Sequence, residues 1–115
     1  MTVDRQLLKG STATLVLSLL EREAMYGYQI IKEIEALSQG LFAFQEGTLY
    51  PILHTLEREG LVVSYWEDRD TGRKRKYYRI TAEGIKALAG RRREWQRFRQ
   101  AVDRITGGEV QPCQS

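Results

Sequence analysis

The chain is poor in reactive side chains. Among 115 residues there is one cysteine, Cys113, and one histidine, His54, and the two stand far apart. A lone cysteine cannot close an internal disulfide, and the Cys/His pairs that hold structural or catalytic zinc are missing. There is no HxxxH or CxxC spacing and no glycine loop of the kind that cradles phosphates. Metal catalysis, thiol chemistry and nucleotide hydrolysis therefore lack their ligands, and the expectation is a non-enzyme with no cofactor and no metal. A carboxylate pair is not excluded, but nothing singles one out. The longest apolar stretch, Leu15 to Leu20, is interrupted by Ser18 and is far too short to cross a bilayer. No basic segment leads into an apolar one at the start, so secretion is not expected and a reducing cytoplasm fits. Repeats, low-complexity segments and long linkers are also missing.

What is present suits one folded domain with an appended element: 42% of residues are hydrophobic and 29% charged. The net charge of +3 and pI of about 9.2 say little by themselves. Their distribution says more. Residues 1–68 carry five Lys/Arg against ten Asp/Glu, a net of −5, whereas residues 69–104 carry thirteen against four, a net of +9. One region can therefore face a polyanion while the rest stays indifferent.

Leu15, Val16, Leu19 and Leu20 recur at helical spacing, which predicts a first helix from Gln6 to Glu23. Ile30, Ile34 and Leu37 mark one face of a second, opened by Tyr26-Gly27-Tyr28 and ended by Ser38-Gln39-Gly40. Leu49, Ile52, Leu53 and Leu56 place a third helix over Gly47–Glu59. Pro51 lacks an N–H, so it is expected in the first turn with the cap near Gly47 or Thr48. The period then changes. Leu61–Glu67 and Lys76–Ile80 are rich in β-branched and aromatic residues and read as a hairpin whose turn is built on Gly72. Thr81 caps a long last helix that runs to Gly107-Gly108. Three helices and a two-stranded wing followed by a helix predict a mainly helical α+β fold, a winged helix-turn-helix over residues 5–80. A C-terminal dimerisation helix over 81–107 and a flexible tail over 108–115 follow.

The third helix is the candidate reader of a major groove, with Thr48, Tyr50, Pro51 and His54 near its outward stripe. Threonine can hydrogen-bond a base edge or pack its methyl on thymine, and tyrosine can reach a phosphate. The opposing reading is a plain surface helix whose start is set by Thr48 and Pro51. Glu46, Glu57 and Glu59 argue against a purely electrostatic binder. The wing carries Arg73, Lys74, Arg75 and Lys76 in succession, a cation cluster suited to backbone phosphates and conferring affinity more than sequence choice. Tyr28 and Lys32 are further backbone candidates, although packing is the more common role for such tyrosines. On the last helix Leu88, Trp95 and Val102 recur at seven, as do Phe98 and Ile105, a seam broken only by Arg91. So narrow a seam needs a partner, either the first helix or a second copy, and both are expected. Trp95 is either dimer core or the wall of a cavity for a flat hydrophobic effector.

Taken in order, Leu7-Leu8-Lys9-Gly10, Tyr26-Gly27-Tyr28-Gln29-Ile30, Glu46-Gly47-Thr48-Leu49-Tyr50-Pro51-Ile52-Leu53, Leu56-Glu57-Arg58-Glu59-Gly60-Leu61, Gly72-Arg73-Lys74-Arg75-Lys76-Tyr77-Tyr78 and Thr81-Ala82-Glu83-Gly84 resemble the PadR family of transcriptional regulators. The resemblance implies a winged helix, a C-terminal dimerisation helix and repression through a palindromic operator. It makes the helix bearing Gly47–Pro51 the reader and the Arg73–Lys76 wing a backbone contact. It also implies that an aromatic at Trp95 can serve an effector pocket near the dimer interface. His54 departs from the pattern of many relatives. The expected partners are thus double-stranded DNA, a second copy of the chain and a small hydrophobic or aromatic effector, without a membrane. The rival reading is a winged-helix module whose basic surface docks an acidic protein.

Overall fold

A computed structural model describes residues 5–70 and 72–108, with side chains from Ser11 onward. Seven elements follow one another: α1 (Arg5–Arg22), β1 (Met25–Tyr26), α2 (Gly27–Leu37), α3 (Glu46–Arg58), β2 (Val62–Glu67), β3 (Arg75–Ile80) and α4 (Ala82–Thr106). Cys113, most of the expected tail and the Leu7–Gly10 side chains lie outside the described residues.

The apolar stripes read from the sequence converge on one core. Val16, Leu17, Leu19 and Leu20 of α1 meet Ile30 and Ile34 of α2 and Leu49, Leu53 and Leu56 of α3. Met25, Phe44, Val62, Tyr78 and Leu88 complete the cluster. Each full burial contributes roughly 1.5–3 kcal/mol, so this set is the main stabilising term. Three stripe residues differ from expectation. Leu37, the last residue of α2, is exposed because the chain turns away there, and Leu15 and Ile52 are only half-buried. The turn uses left-handed Gln39 (φ 55°) and Gly40 (φ 82°), and the Gly40 N–H donates to the Glu35 carbonyl at 2.8 Å. Ser38 Oγ accepts from the Phe42 N–H at 2.9 Å, steering Phe44 into the core.

α3 begins earlier than Pro51 suggested. The cap is Gln45, whose carbonyl accepts from the N–H groups of both Thr48 and Leu49 at 3.0 Å. Pro51 therefore sits inside the helix, one turn later than the first-turn position expected. Lacking an N–H, it leaves the Gly47 carbonyl without its intrahelical donor, at an exposed point where water can substitute.

The wing is three-stranded rather than two-stranded. β1 pairs antiparallel with β3, Met25 opposite Tyr78 and Tyr26 opposite Tyr77, so the sheet order is β1-β3-β2. A two-residue strand has no periodicity to detect, and its partner lies some fifty residues away. β3 also starts at Arg75, paired with Glu67, followed by Lys76 with Trp66, Tyr77 with Tyr65 and Ser64 with Tyr78. Strand alternation then puts Val62, Ser64, Trp66, Lys76, Tyr78 and Ile80 on one face and Tyr65, Glu67, Arg75 and Tyr77 on the other.

The start of α4 is tied to this body. Thr81 Oγ1 accepts from the Gly84 N–H at 3.0 Å and donates to the Gly60 carbonyl at 2.7 Å. Gly84 lies so close to the wing root that a Cβ there would overlap the Leu61 carbonyl oxygen and approach Ile80 Cγ1 to 2.6 Å. One helical turn later Leu88 is fully buried, and Arg92 pairs with Glu21 of α1 at 2.9 Å. Leu88, the first residue of the heptad seam, is thus packed into this chain's own core. Beyond it no described residue of α4 is buried, and the helix ends at left-handed Gly107 (φ 74°). Among the described residues no helix is long and apolar enough to cross a membrane.

Alanine normally favours a helix over glycine, yet Gly84→Ala should destabilise the fold by about 1–3 kcal/mol because the methyl has no room. Urea unfolding measures this. A variant as stable as the parent would mean that the α4–wing junction is looser than described.

Candidate nucleic-acid interface

α3 buries one face in the core and turns the other outward. Thr48, Pro51, His54 and Arg58 are exposed, spaced so that each side chain lies one turn along from the last. Tyr50 does not join them fully. Its ring packs against the core, half-buried, and a Cβ on Gly27 would overlap its hydroxyl and lie 2.8 Å from its Cζ. Gly27, the first residue of α2, is thus a glycine because the Tyr50 ring occupies its side-chain space. Tyr50 sets the angle between the two helices of the helix-turn-helix more than it reaches outward. Thr55 is also internally engaged, donating to the Pro51 carbonyl at 3.0 Å and accepting from Arg58 at 3.5 Å.

Tyr28 and Lys32 lie one turn apart on exposed α2 surface, with Lys32 Nζ 5.5 Å from the Tyr28 ring centre. Tyr28 is 54% exposed, which leaves its hydroxyl available to a ligand.

The basic run divides into two parts. Arg73 and Lys74 are exposed in the turn, whereas Arg75 and Lys76 are strand residues, half-buried and facing opposite sides. Arg75 lies over the Tyr26 ring at 4.5 Å and Lys76 over Tyr78 at 5.8 Å. The sequence places Lys76 on the second strand and Arg73, Lys74 and Arg75 in the turn; in the structure the strand begins one residue earlier, at Arg75, and only Arg73 and Lys74 remain in the turn. Sequence reading also missed a cross-strand row, Tyr26–Tyr77–Tyr65, in which Tyr26 meets Tyr77 edge-on at 5.5 Å and Tyr65 stacks on it at 5.9 Å. Arg69 covers Tyr77 at 4.3 Å while its Nε pairs with Glu67 at 3.1 Å, and the Glu67 hydrogen bond holds the Arg69 pKa above its ordinary value. Only the register reveals this row, since its members are scattered in the chain. The arrangement stiffens the wing and holds its cations in place.

α3 and the wing meet at one further point. Glu57 Oε2 accepts from Ser64 Oγ at 2.6 Å, so this carboxylate works at the helix–wing root instead of opposing an anionic partner. Beside it His54, Glu57 and Arg58 of α3 and Lys76 of β3 line one shallow groove. The outward helix stripe and a wing cation therefore share a surface. Burial, reinforced by Glu57 and then Tyr50, raises the Tyr78 pKa, and burial followed by Glu46 raises that of Tyr50.

On α4 the rest of the seam is open. Trp95, Phe98, Val102 and Ile105 are 47%, 54%, 37% and 86% exposed, and Trp95 stacks on Phe98 at 5.8 Å. No group of three or more metal-ligating side chains occurs among the described residues.

Residues 16–90 match the transcriptional regulator PadR-like family. An uncharacterised protein of Lysinibacillus sphaericus is 32% identical over 106 residues, 92% of this chain and 97% of that one. Among solved structures, a transcriptional regulator from Clostridium thermocellum superposes with a TM-score of 0.81 at 33% identity, covering 89% of this chain and 96% of its own. A PadR family transcriptional regulator from Eggerthella lenta gives 0.72 at 36% identity, with 88% and 82% covered.

The raised tyrosine pKa values have a definite consequence for stability. The folded state holds these protons more tightly than the unfolded chain, in which tyrosine titrates near 10. Their contribution is complete below pH 10 and is lost as pH rises through the folded pKa values. Absorbance titration near 295 nm should show a late step from Tyr50 and Tyr78, above the ordinary tyrosine value, and Tyr78→Phe should diminish it. A late step unchanged by Tyr78→Phe would contradict the burial of Tyr78.

Proposed function

The chain belongs to the PadR-like family of transcriptional regulators, and from that premise we propose that it is a homodimeric repressor. It binds a palindromic operator in the cytoplasm and responds to a small aromatic effector. The observation carrying this reading is the shared surface of α3 and the wing, with His54, Arg58 and Lys76 around one groove. A duplex lying along the outward stripe of α3 would meet Thr48, Pro51 and His54 at base edges. The same duplex would meet Lys76 and the Arg73–Lys74 turn at its phosphates, with Tyr28 and Lys32 on the flanking backbone, while Arg75 on the opposite face of the sheet braces the wing against Tyr26. Tyr50 holds α3 at its angle on α2.

Dimerisation is supported by the stripe Trp95–Phe98–Val102–Ile105. Large apolar side chains contiguous on an exposed helix seek a partner, and a second copy supplies the same stripe across a two-fold axis. Two copies present two reader helices to successive major grooves about 34 Å apart, which is why the operator is palindromic. The stacked Trp95–Phe98 pair then borders the subunit interface, where a flat apolar effector can slip between rings and alter the spacing of the readers.

With roughly eight phosphates neutralised per dimer, log K for the gene's own upstream duplex should fall against log salt with a slope near −7. Fluorescence anisotropy at several salt concentrations measures it, and a flat response defeats the proposal. Replacing Arg73 and Lys74 by Ala should weaken operator and random duplex alike and make the slope shallower. Phe98→Glu should shift the chain from dimer to monomer in analytical ultracentrifugation, since it places a charge in the seam. A dimer unaffected by that change puts the interface elsewhere.

A further inference from the structure

One large apolar side chain of the wing has no part in the core or in the seam. Trp66 is 65% exposed although it lies on the sheet face that packs inward. Along that face burial declines in steps: Val62 is fully buried, Ser64 is half-buried and held by Glu57, and Trp66 stands beyond the reach of α3. Its cross-strand partner is Lys76, the wing residue in the groove with His54 and Arg58. The indole is thus placed at the border of the surface on which the reader helix and the wing meet.

We propose that Trp66 is a DNA-contacting residue, its indole packing on the deoxyribose–phosphate wall beside the groove read by α3. The inference rests on the regulator reading and extends it to a residue that the basic run does not include. Two features select the partner. The groove beside Trp66 carries His54, Arg58 and Lys76, which complement phosphate. Among the described residues no other exposed large apolar side chain lies on β2 or β3; the rest are at Tyr28, Leu37, Leu41 and along α4. An isolated aromatic ring among cations suits a surface of sugars interleaved with charges, because the ring covers the sugar while its neighbours take the phosphates.

The full chain labelled with 5-fluorotryptophan has two fluorine resonances, one for each tryptophan, assigned with Trp66→Phe. Titrated with the upstream duplex, the Trp66 resonance should shift along the same isotherm that anisotropy gives for binding. Trp66→Ala should weaken binding about tenfold, with an unchanged salt slope because no charge is removed, and Trp66→Phe should recover most of the loss. A rise in anisotropy with a stationary Trp66 resonance and full affinity for Trp66→Ala overturns the contact while leaving the regulator reading standing. No rise with any duplex defeats both.

Discussion

The position of β3 governs the rest of the molecule. It is the central strand of a small sheet, and it is covered on both faces: Tyr78 is buried against the helical core, and Tyr77, its neighbour, beneath Tyr26, Tyr65 and Arg69. Each tyrosine brings a large apolar surface with one polar end, so both sides are held by burial and by oriented ring contacts. A one-residue shift of β3 would move Ile80 off the core face and put Arg79 in its place, so the register is fixed. The wing consequently has one direction relative to α3, and Arg75 and Lys76 one side each.

Placement of the acidic side chains follows the same logic. Glu57 accepts from Ser64 at the wing root, Glu67 pairs with Arg69, and Glu21 with Arg92. Exposed or half-exposed pairs of this kind contribute little stability, of order 0–1 kcal/mol. Their effect is geometric: they orient carboxylates of an acidic N-terminal region into the structure. Arg58, Arg73 and Lys74 remain on the surface, on the helix and the turn that form the candidate interface.

α4 combines two environments in one helix. Its first turns are held by Thr81, Gly84 and Leu88, and its last turns bear the open aromatic stripe. A continuous helix crossing from one environment to the other ties the exposed stripe to the wing root at Leu61.

Much of this was legible in the residues themselves. Helical spacing located α1, α2 and α3 and most of their buried faces, the change of period located β2 and β3, and Thr81 marked the start of α4. Local chemistry suffices for such features because each depends on neighbours within a turn or a strand. Tertiary structure alone decided that Met25 and Tyr26 form a strand, that Leu88 faces inward while Trp95 does not, and that Arg75 and Lys76 point to opposite sides. It also placed Pro51 inside α3 and Tyr50 against Gly27. These outcomes depend on contacts between segments distant in the chain, and a heptad or a run of cations looks the same in sequence whichever neighbour packs against it.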